Sequence, residues 1–226
     1  MCLFYGIAHS ATAACNAPQP FNPNENNDPC AAKNAIAADQ RLKERLDALL
    51  RHIKDTKEHG YLRRPDSTEY VWVGSNKGIP FTASGKYTEF AHTHPNGTPR
   101  FSAGDIQTLF KLFDGGYIDD AASFRFGLVV SSGYYFLHIT DPEAFRNFAA
   151  VYNLKETKES LKKAIKQSMS AIASPNVLLS SFIYFLQTKN AGLTVIMGTF
   201  YPNSPSITWE VKTADDKTTL SNKDCH

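Results

Sequence analysis

The chain has 226 residues, 42% hydrophobic and 12% aromatic, enough apolar material for one substantial core and so for one compact α/β domain with a small appended segment. Its 24 Lys and Arg against 22 Asp and Glu leave a formal charge of +2, scattered along the chain. With no basic stripe to grip a phosphate backbone, nucleic acid is set aside as a partner. The apolar run Val177 to Leu186, interrupted by Ser180 and Ser181, falls well short of the about 20 residues needed to cross a bilayer.

The first 29 residues read as a leader and tether. Met1-Cys2-Leu3-Phe4-Tyr5-Gly6-Ile7-Ala8 is a short apolar start, small residues follow to Ala14, and a Pro/Asn-rich stretch runs from Cys15 to Pro29. That order suggests export. Thr12-Ala13-Ala14-Cys15 also fits a bacterial lipobox, in which a lipidated Cys15 would attach the protein to a membrane; the alternative is a frayed tail with an ordinary cysteine. If Cys2 leaves with the leader and Cys15 carries lipid, Cys30 and Cys225 remain at the two ends of the mature domain. They are then expected to pair in an extracytoplasmic compartment, although four cysteines allow three pairings and free thiols are the reading for a reducing one.

Beyond the tether, Leu42, Leu46, Leu49, Leu50 and Ile53 recur at the spacing of one helical face, which predicts an amphipathic helix from Ala35 to about Lys57, closed at Gly60. Short strands are expected at Tyr61-Leu62, Glu69 to Val73 and Phe81-Thr82. A further strand, Glu89 to Thr93, is stopped by Pro95-Asn96-Gly97. Ser102-Ala103-Gly104-Asp105 opens a helix with Ile106, Leu109, Phe110 and Phe113 on its apolar face, ended by Gly115-Gly116. Phe124 to Val130 and Tyr134 to Ile139 form a hairpin, and a helix follows over Pro142 to Val151. Two more helices, about Glu156 to Ala173 and Pro175 to Thr188, the second capped by Ser174, precede strands at 193–201 and 206–213 joined by an Asn203-Ser204-Pro205 turn.

Chemistry concentrates in His92-Thr93-His94-Pro95-Asn96-Gly97-Thr98-Pro99-Arg100-Phe101-Ser102-Ala103-Gly104-Asp105. Side chains two apart on a strand point the same way, so His92 and His94 present two imidazoles to one side. After a turn, Asp105 in the first turn of the next helix can add an oxygen ligand and leave one tetrahedral position open, the coordination of a catalytic rather than a structural metal. Taken singly, His-x-His is more often surface polarity and Ser102-x2-Asp105 is a capping box in its own right. Together, at this spacing, they point to a metal site. His9, His52, His59, His138 and His226 have no comparable partners and default to surface or core roles, and Tyr134-Tyr135-Phe136 reads as sheet packing.

The spacing H-x-H-x7-S-x2-D resembles the motif of the JAB/JAMM (MPN+) zinc metallopeptidases. The resemblance implies a cytidine-deaminase-like fold, a mixed, largely antiparallel sheet flanked by helices, with Zn2+ on His92, His94 and Asp105. It also implies an upstream glutamate as general acid/base and Ser102 helping to stabilise the tetrahedral intermediate. Glu58, in Lys57-Glu58-His59-Gly60, is the choice for that glutamate because it lies where a helix exits into the first strands, 34 residues before His92; Glu69 and Glu89 stay open. From Asp28 to about Phe148 the chain also resembles a Bacteroidetes-type group of secreted JAB-like proteins, some of them modules of polymorphic toxins. The expected organisation is a leader and tether over 1–29, a metallopeptidase domain over 30–151, and an extension over 152–226 packing on it. The expected function is hydrolysis of a peptide or isopeptide bond in a peptide or protein substrate, outside the cytoplasm. The other readings are a catalytically silent, metal-containing binding module and a secreted toxin or effector with the same site. HExxH is absent, which argues against a zincin, and so is the H-x-E with P-C-x-x-C of zinc deaminases.

Overall fold

A computed structural model describes residues 27–75, 83–169, 174–200 and 206–225. The leader, Cys15, His9, His226, the Phe81-Thr82 strand and the Asn203-Ser204-Pro205 turn lie outside the described residues.

Asp28 accepts hydrogen bonds from the backbone of Cys30 and Ala31 and opens α1 (Pro29–Ala38). Asp39 then caps α2 (Gln40–Leu50) by accepting from the Leu42 N–H at 2.9 Å. The single long helix expected over 35–57 is therefore two. Asp39 takes extended backbone and spends its carboxylate on the new cap and on Arg125, which breaks the ladder. Past Leu50 the chain runs in turns through 51–57.

The strands are β1 (His59–Arg63), β2 (Glu69–Val73), β3 (Glu89–Thr93), β4 (Arg125–Val130), β5 (Gly133–Ile139), β6 (Leu193–Phe200), β7 (Ile207–Ala214) and β8 (Leu220–Asn222). They form one eight-stranded sheet in the order β2-β1-β3-β4-β5-β6-β7-β8. Every neighbouring pair is antiparallel except β3 and β4, which run parallel. A parallel pair needs a crossover, and α3 (Ala103–Asp114) supplies it. The remaining helices are α4 (Pro142–Val151), α5 (Glu159–Ser168) and α6 (Pro175–Thr188). The fold is thus mixed α/β, one largely antiparallel sheet with a single parallel pair, flanked by helices as expected. The strand β8 was not foreseen: three residues carry too little alternation to read. Residues 193–222 extend the same sheet by three strands, so the chain beyond residue 151 completes the architecture that begins at α1.

Period-two alternation sorts the core into two layers. Leu62, Phe90, Phe126, Leu128, Tyr135 and Leu137 pack on one face with residues of α3 to α6, while Tyr61, Ala91, Val129, Tyr134 and Phe136 pack on the other with Leu42, Leu46 and Leu49 of α2. The stretch Tyr134-Tyr135-Phe136 is fully packed, as expected. A disulfide joins Cys30 to Cys225 with Cα atoms 5.6 Å apart, tying the start of α1 to the chain beyond β8. Among the described residues no helix is long and apolar enough to cross a membrane.

Candidate metal centre

Strand β3 is the pedestal of the site. Its five residues are all buried, between β1 and β4. The His94 N–H donates to the Val129 carbonyl at 3.1 Å, carrying the pairing one residue past the strand. Pro95 then ends it, and the chain turns back through Gly97, whose φ of +70° suits glycine and whose N–H donates to the His94 carbonyl. Ser102 and Asp105 form the expected capping box. The Asp105 N–H donates to Ser102 Oγ at 3.1 Å, and the Ser102 N–H donates to Asp105 Oδ2 at 2.6 Å. This fixes the Asp105 carboxylate at the mouth of α3, facing the end of β3.

Three side chains converge there. His92 Nε2 lies 3.2 Å from His94 Nε2 and 3.2 Å from Asp105 Oδ1, and His94 Nε2 lies 3.3 Å from Asp105 Oδ2. Donors at about 2.0–2.1 Å from a tetrahedral ion sit roughly 3.3 Å from one another, so these separations fit a cation between the three side chains. Both imidazoles are buried, and the cluster can hold a metal ion. Electrostatics agree with the geometry. Burial pulls the His92 pKa down, but Asp105 and Glu58 outweigh it and raise it. Burial pushes Asp105 up, and the two imidazoles more than reverse that, holding it well below the usual carboxylate range. A largely buried carboxylate, its side chain 16% exposed, kept ionised between two imidazoles is a ready acceptor for a divalent cation.

Three glutamates were candidates for the proton carrier, and the fold gives them different surroundings. Glu58 lies just before β1, its backbone paired with that of Gly74 and Ser75. Gly60 is opposite His92 in the ladder, so alternation places Glu58 on the His92 side of the sheet. Glu58 is half-buried. Desolvation raises its pKa, while His92 and His94 pull it down and Asp105 adds to the rise. Glu69 instead pairs with Arg41 and Arg45 at 2.6 and 2.5 Å. Glu89 is buried between Arg63 and Arg125 at 2.6 and 2.7 Å and accepts from the Tyr61 hydroxyl. Both are committed to arginines elsewhere in the fold, and only Glu58 of the three feels the His92/His94/Asp105 cluster.

A cleft of about 590 Å³ opens beside Ser102 and Gly104, lined by Arg100, Lys158, Lys162 and Lys166 together with Ile165 and Met169. Among the described residues no carboxylate lines it. Arg100 feels Asp105, which sets the cleft against the cluster, and its Nε is buried without a hydrogen-bond partner among the described residues. The signal was present in the sequence, in three lysines spaced four apart on one helix face.

Two histidines expected to lie alone do not. His52 and His59 meet at Asp55, with His52 Nδ1 at 3.0 Å and His59 Nε2 at 2.8 Å from Asp55 Oδ2. Reading 35–57 as one helix hid this, because it is the turns after Leu50 that bring the three together. His138 is buried in the core, as its default role implied. Comparison of the chain with family models, with curated proteins and with solved structures gave no match.

Proposed function

We propose that the protein is a zinc-dependent hydrolase that cleaves a peptide or isopeptide amide bond, in the manner of the JAB/JAMM metallopeptidases. The observation that carries this reading is the convergence of His92, His94 and Asp105 beside one half-buried glutamate, Glu58, coupled to all three. Two imidazoles with one carboxylate suit zinc, which accepts mixed nitrogen and oxygen donors and leaves a position open in catalytic sites. Bound there, zinc would activate a water at neutral pH and polarise the scissile carbonyl.

The residues of this chain do the rest. Glu58 takes a proton from the attacking water and delivers it to the leaving nitrogen, and its raised pKa suits it to both halves of that transfer. Ser102 Oγ accepts from the Asp105 N–H, which leaves the hydroxyl proton free to donate to a developing oxyanion. The basic cleft beside Ser102 favours a substrate with acidic side chains or a free carboxylate on that side of the bond. The disulfide Cys30–Cys225 suits an oxidising compartment, which supports an extracytoplasmic location.

The test pairs metal analysis of purified protein with an activity screen against cross-linked peptides, comparing wild type with Glu58→Gln. Wild type should carry zinc and turn over amide substrates, while the variant should carry zinc and fail to. A wild type that takes up zinc and cleaves none of them would favour the silent binding module. Among substrates that are cut, acidic peptides should show the lower KM. Lys158→Glu with Lys162→Glu should raise that KM and leave kcat nearly unchanged, and equal effects on neutral and acidic peptides would remove the cleft from substrate binding.

A further inference from the structure

We propose that His52, Asp55 and His59 form a second divalent-metal site, separate from the His92/His94/Asp105 centre, which clips the segment that carries Glu58. The three side chains offer two imidazole nitrogens and a carboxylate oxygen, all within 4.8 Å of one another. Both nitrogens already meet the same Asp55 oxygen; the two rings stack, with centroids 4.1 Å apart and planes 11° from parallel, so the exposed His52 ring has to turn out of the stack for one ion to lie in the plane of both imidazoles. His52 follows the end of α2, Asp55 sits in the turns, and His59 is the first residue of β1. One ion would therefore join three successive pieces of chain.

The site is independent of the first by construction. His59 and Tyr61 lie on the face of β1 that packs on α2, whereas Glu58 and Gly60 lie on the face that meets His92. His59 is buried and its N–H donates to Thr93 Oγ1 at 2.9 Å, so one ligand is anchored in the sheet, while His52 and Asp55 are exposed and can adjust to an ion. A donor set of two nitrogens and one oxygen selects zinc, nickel or copper over calcium or magnesium, which prefer all-oxygen sites. Glu58 lies between Asp55 and His59, so an ion on those two fixes the backbone on which it sits. The proposal that this matters for turnover rests on Glu58 being the proton carrier. The site itself does not.

The experiment strips the full-length protein with chelator, titrates it with zinc, counts equivalents retained after dialysis, and follows amide hydrogen exchange over residues 51–59. Wild type should take two equivalents. His52→Ala and Asp55→Ala should each keep one, His94→Ala should keep one, and His52→Ala with His94→Ala should keep none. Zinc should slow exchange over 51–59 in wild type and in His94→Ala but not in His52→Ala. Two equivalents retained by both His52→Ala and Asp55→Ala, or exchange over 51–59 indifferent to zinc in His94→Ala, would overturn the second site. The two centres fail separately: a single equivalent lost in His52→Ala but kept in His94→Ala would uphold this site and remove the buried centre, and the reverse pattern would remove this one alone.

Discussion

The molecule carries the same three side chains twice, two histidines and an aspartate, once in its interior and once on its surface. His92, His94 and Asp105 come from a buried strand and the first turn of a helix beyond it, and the fold of the whole sheet holds them. His52, Asp55 and His59 come from eight consecutive residues, two of the three exposed. The difference is one of prior cost. Desolvating two imidazoles and a carboxylate is expensive, and it is offset here by their mutual attraction and by the capping box that fixes Asp105. The buried cluster is therefore organised before any ion arrives, which is what catalysis requires. The surface cluster costs little to make and little to break, which suits a clip.

The largest effects should separate the two clusters outright. His94→Ala or Asp105→Ala leaves two ligands in the interior, too few to hold zinc firmly, so activity should fall to background together with one equivalent of metal. His52→Ala should lower turnover far less, because it loosens the segment that carries Glu58 but leaves all three interior ligands in place, and in the metal-free protein it should shift thermal stability by less than about 1 kcal/mol, the usual scale for an exposed ion pair. Activity lost equally in both would show that the surface cluster belongs to the reaction centre.

Glu58 lies between the clusters in sequence, and its substitution should cost less than a lost ligand. Glu58→Gln should retain zinc and lose about 10²- to 10⁴-fold in kcat, the contribution of a positioned general base. The acid limb of the rate profile should belong to Glu58, whose pKa burial raises in the metal-free site, and should disappear in the variant. A Glu58→Gln enzyme of undiminished rate would place the proton transfer elsewhere.

These two experiments mark where local reading of the sequence succeeds. Alternation along β3 and the capping box of α3 are short-range patterns, and they bring His92, His94 and Asp105 together as the spacing implied. The surroundings of the three candidate glutamates needed long-range information. Glu89 looks free until Arg63 and Arg125 arrive from strands on either side of it, and Glu69 until Arg41 and Arg45 arrive from α2. Asp39 hid the same way: its cap splits a helix whose apolar periodicity runs straight through it. The surface cluster was missed for a related reason, since an overlong helix leaves no turn in which Asp55 could face His59.

The frame should matter to both clusters, since His59 and His92 stand on neighbouring strands of one sheet. Cys30–Cys225 closes 195 residues of sequence, and removing a bridge of this kind costs about 2–5 kcal/mol. Cys30→Ser with Cys225→Ser should lower the midpoint of thermal unfolding, with activity lost in step. Zinc uptake at both clusters, measured below that midpoint, should be unchanged. A double variant as stable as wild type would show that the packing of α1 on β7 alone secures the ends.

The smallest expected effect uses a third histidine. His138 is buried as deeply as His92, 3% exposed against 2%, yet its pKa moves the opposite way. Desolvation lowers it, and the Asn27 carbonyl at 3.3 Å, with Asp28 and Asp120 further off, does not make up the loss. At His92 the adjacent carboxylate reverses the same burial. The sign of the consequence follows from which state binds more protons. Below an unfolded pKa of about 6.5, the unfolded chain protonates at His138 before the folded protein does, so stability is fully present above that pH and is lost as pH falls toward the lower folded pKa. The slope from this one group cannot exceed about 1.4 kcal/mol per pH unit. Denaturant unfolding of wild type and His138→Gln between pH 7.5 and 5 should therefore give curves whose difference narrows as pH falls, because only wild type carries the penalty. A difference that stays flat over that range would mean that His138 takes up its proton in the folded state as readily as in the unfolded one, and burial would then not be what sets the two interior histidines apart.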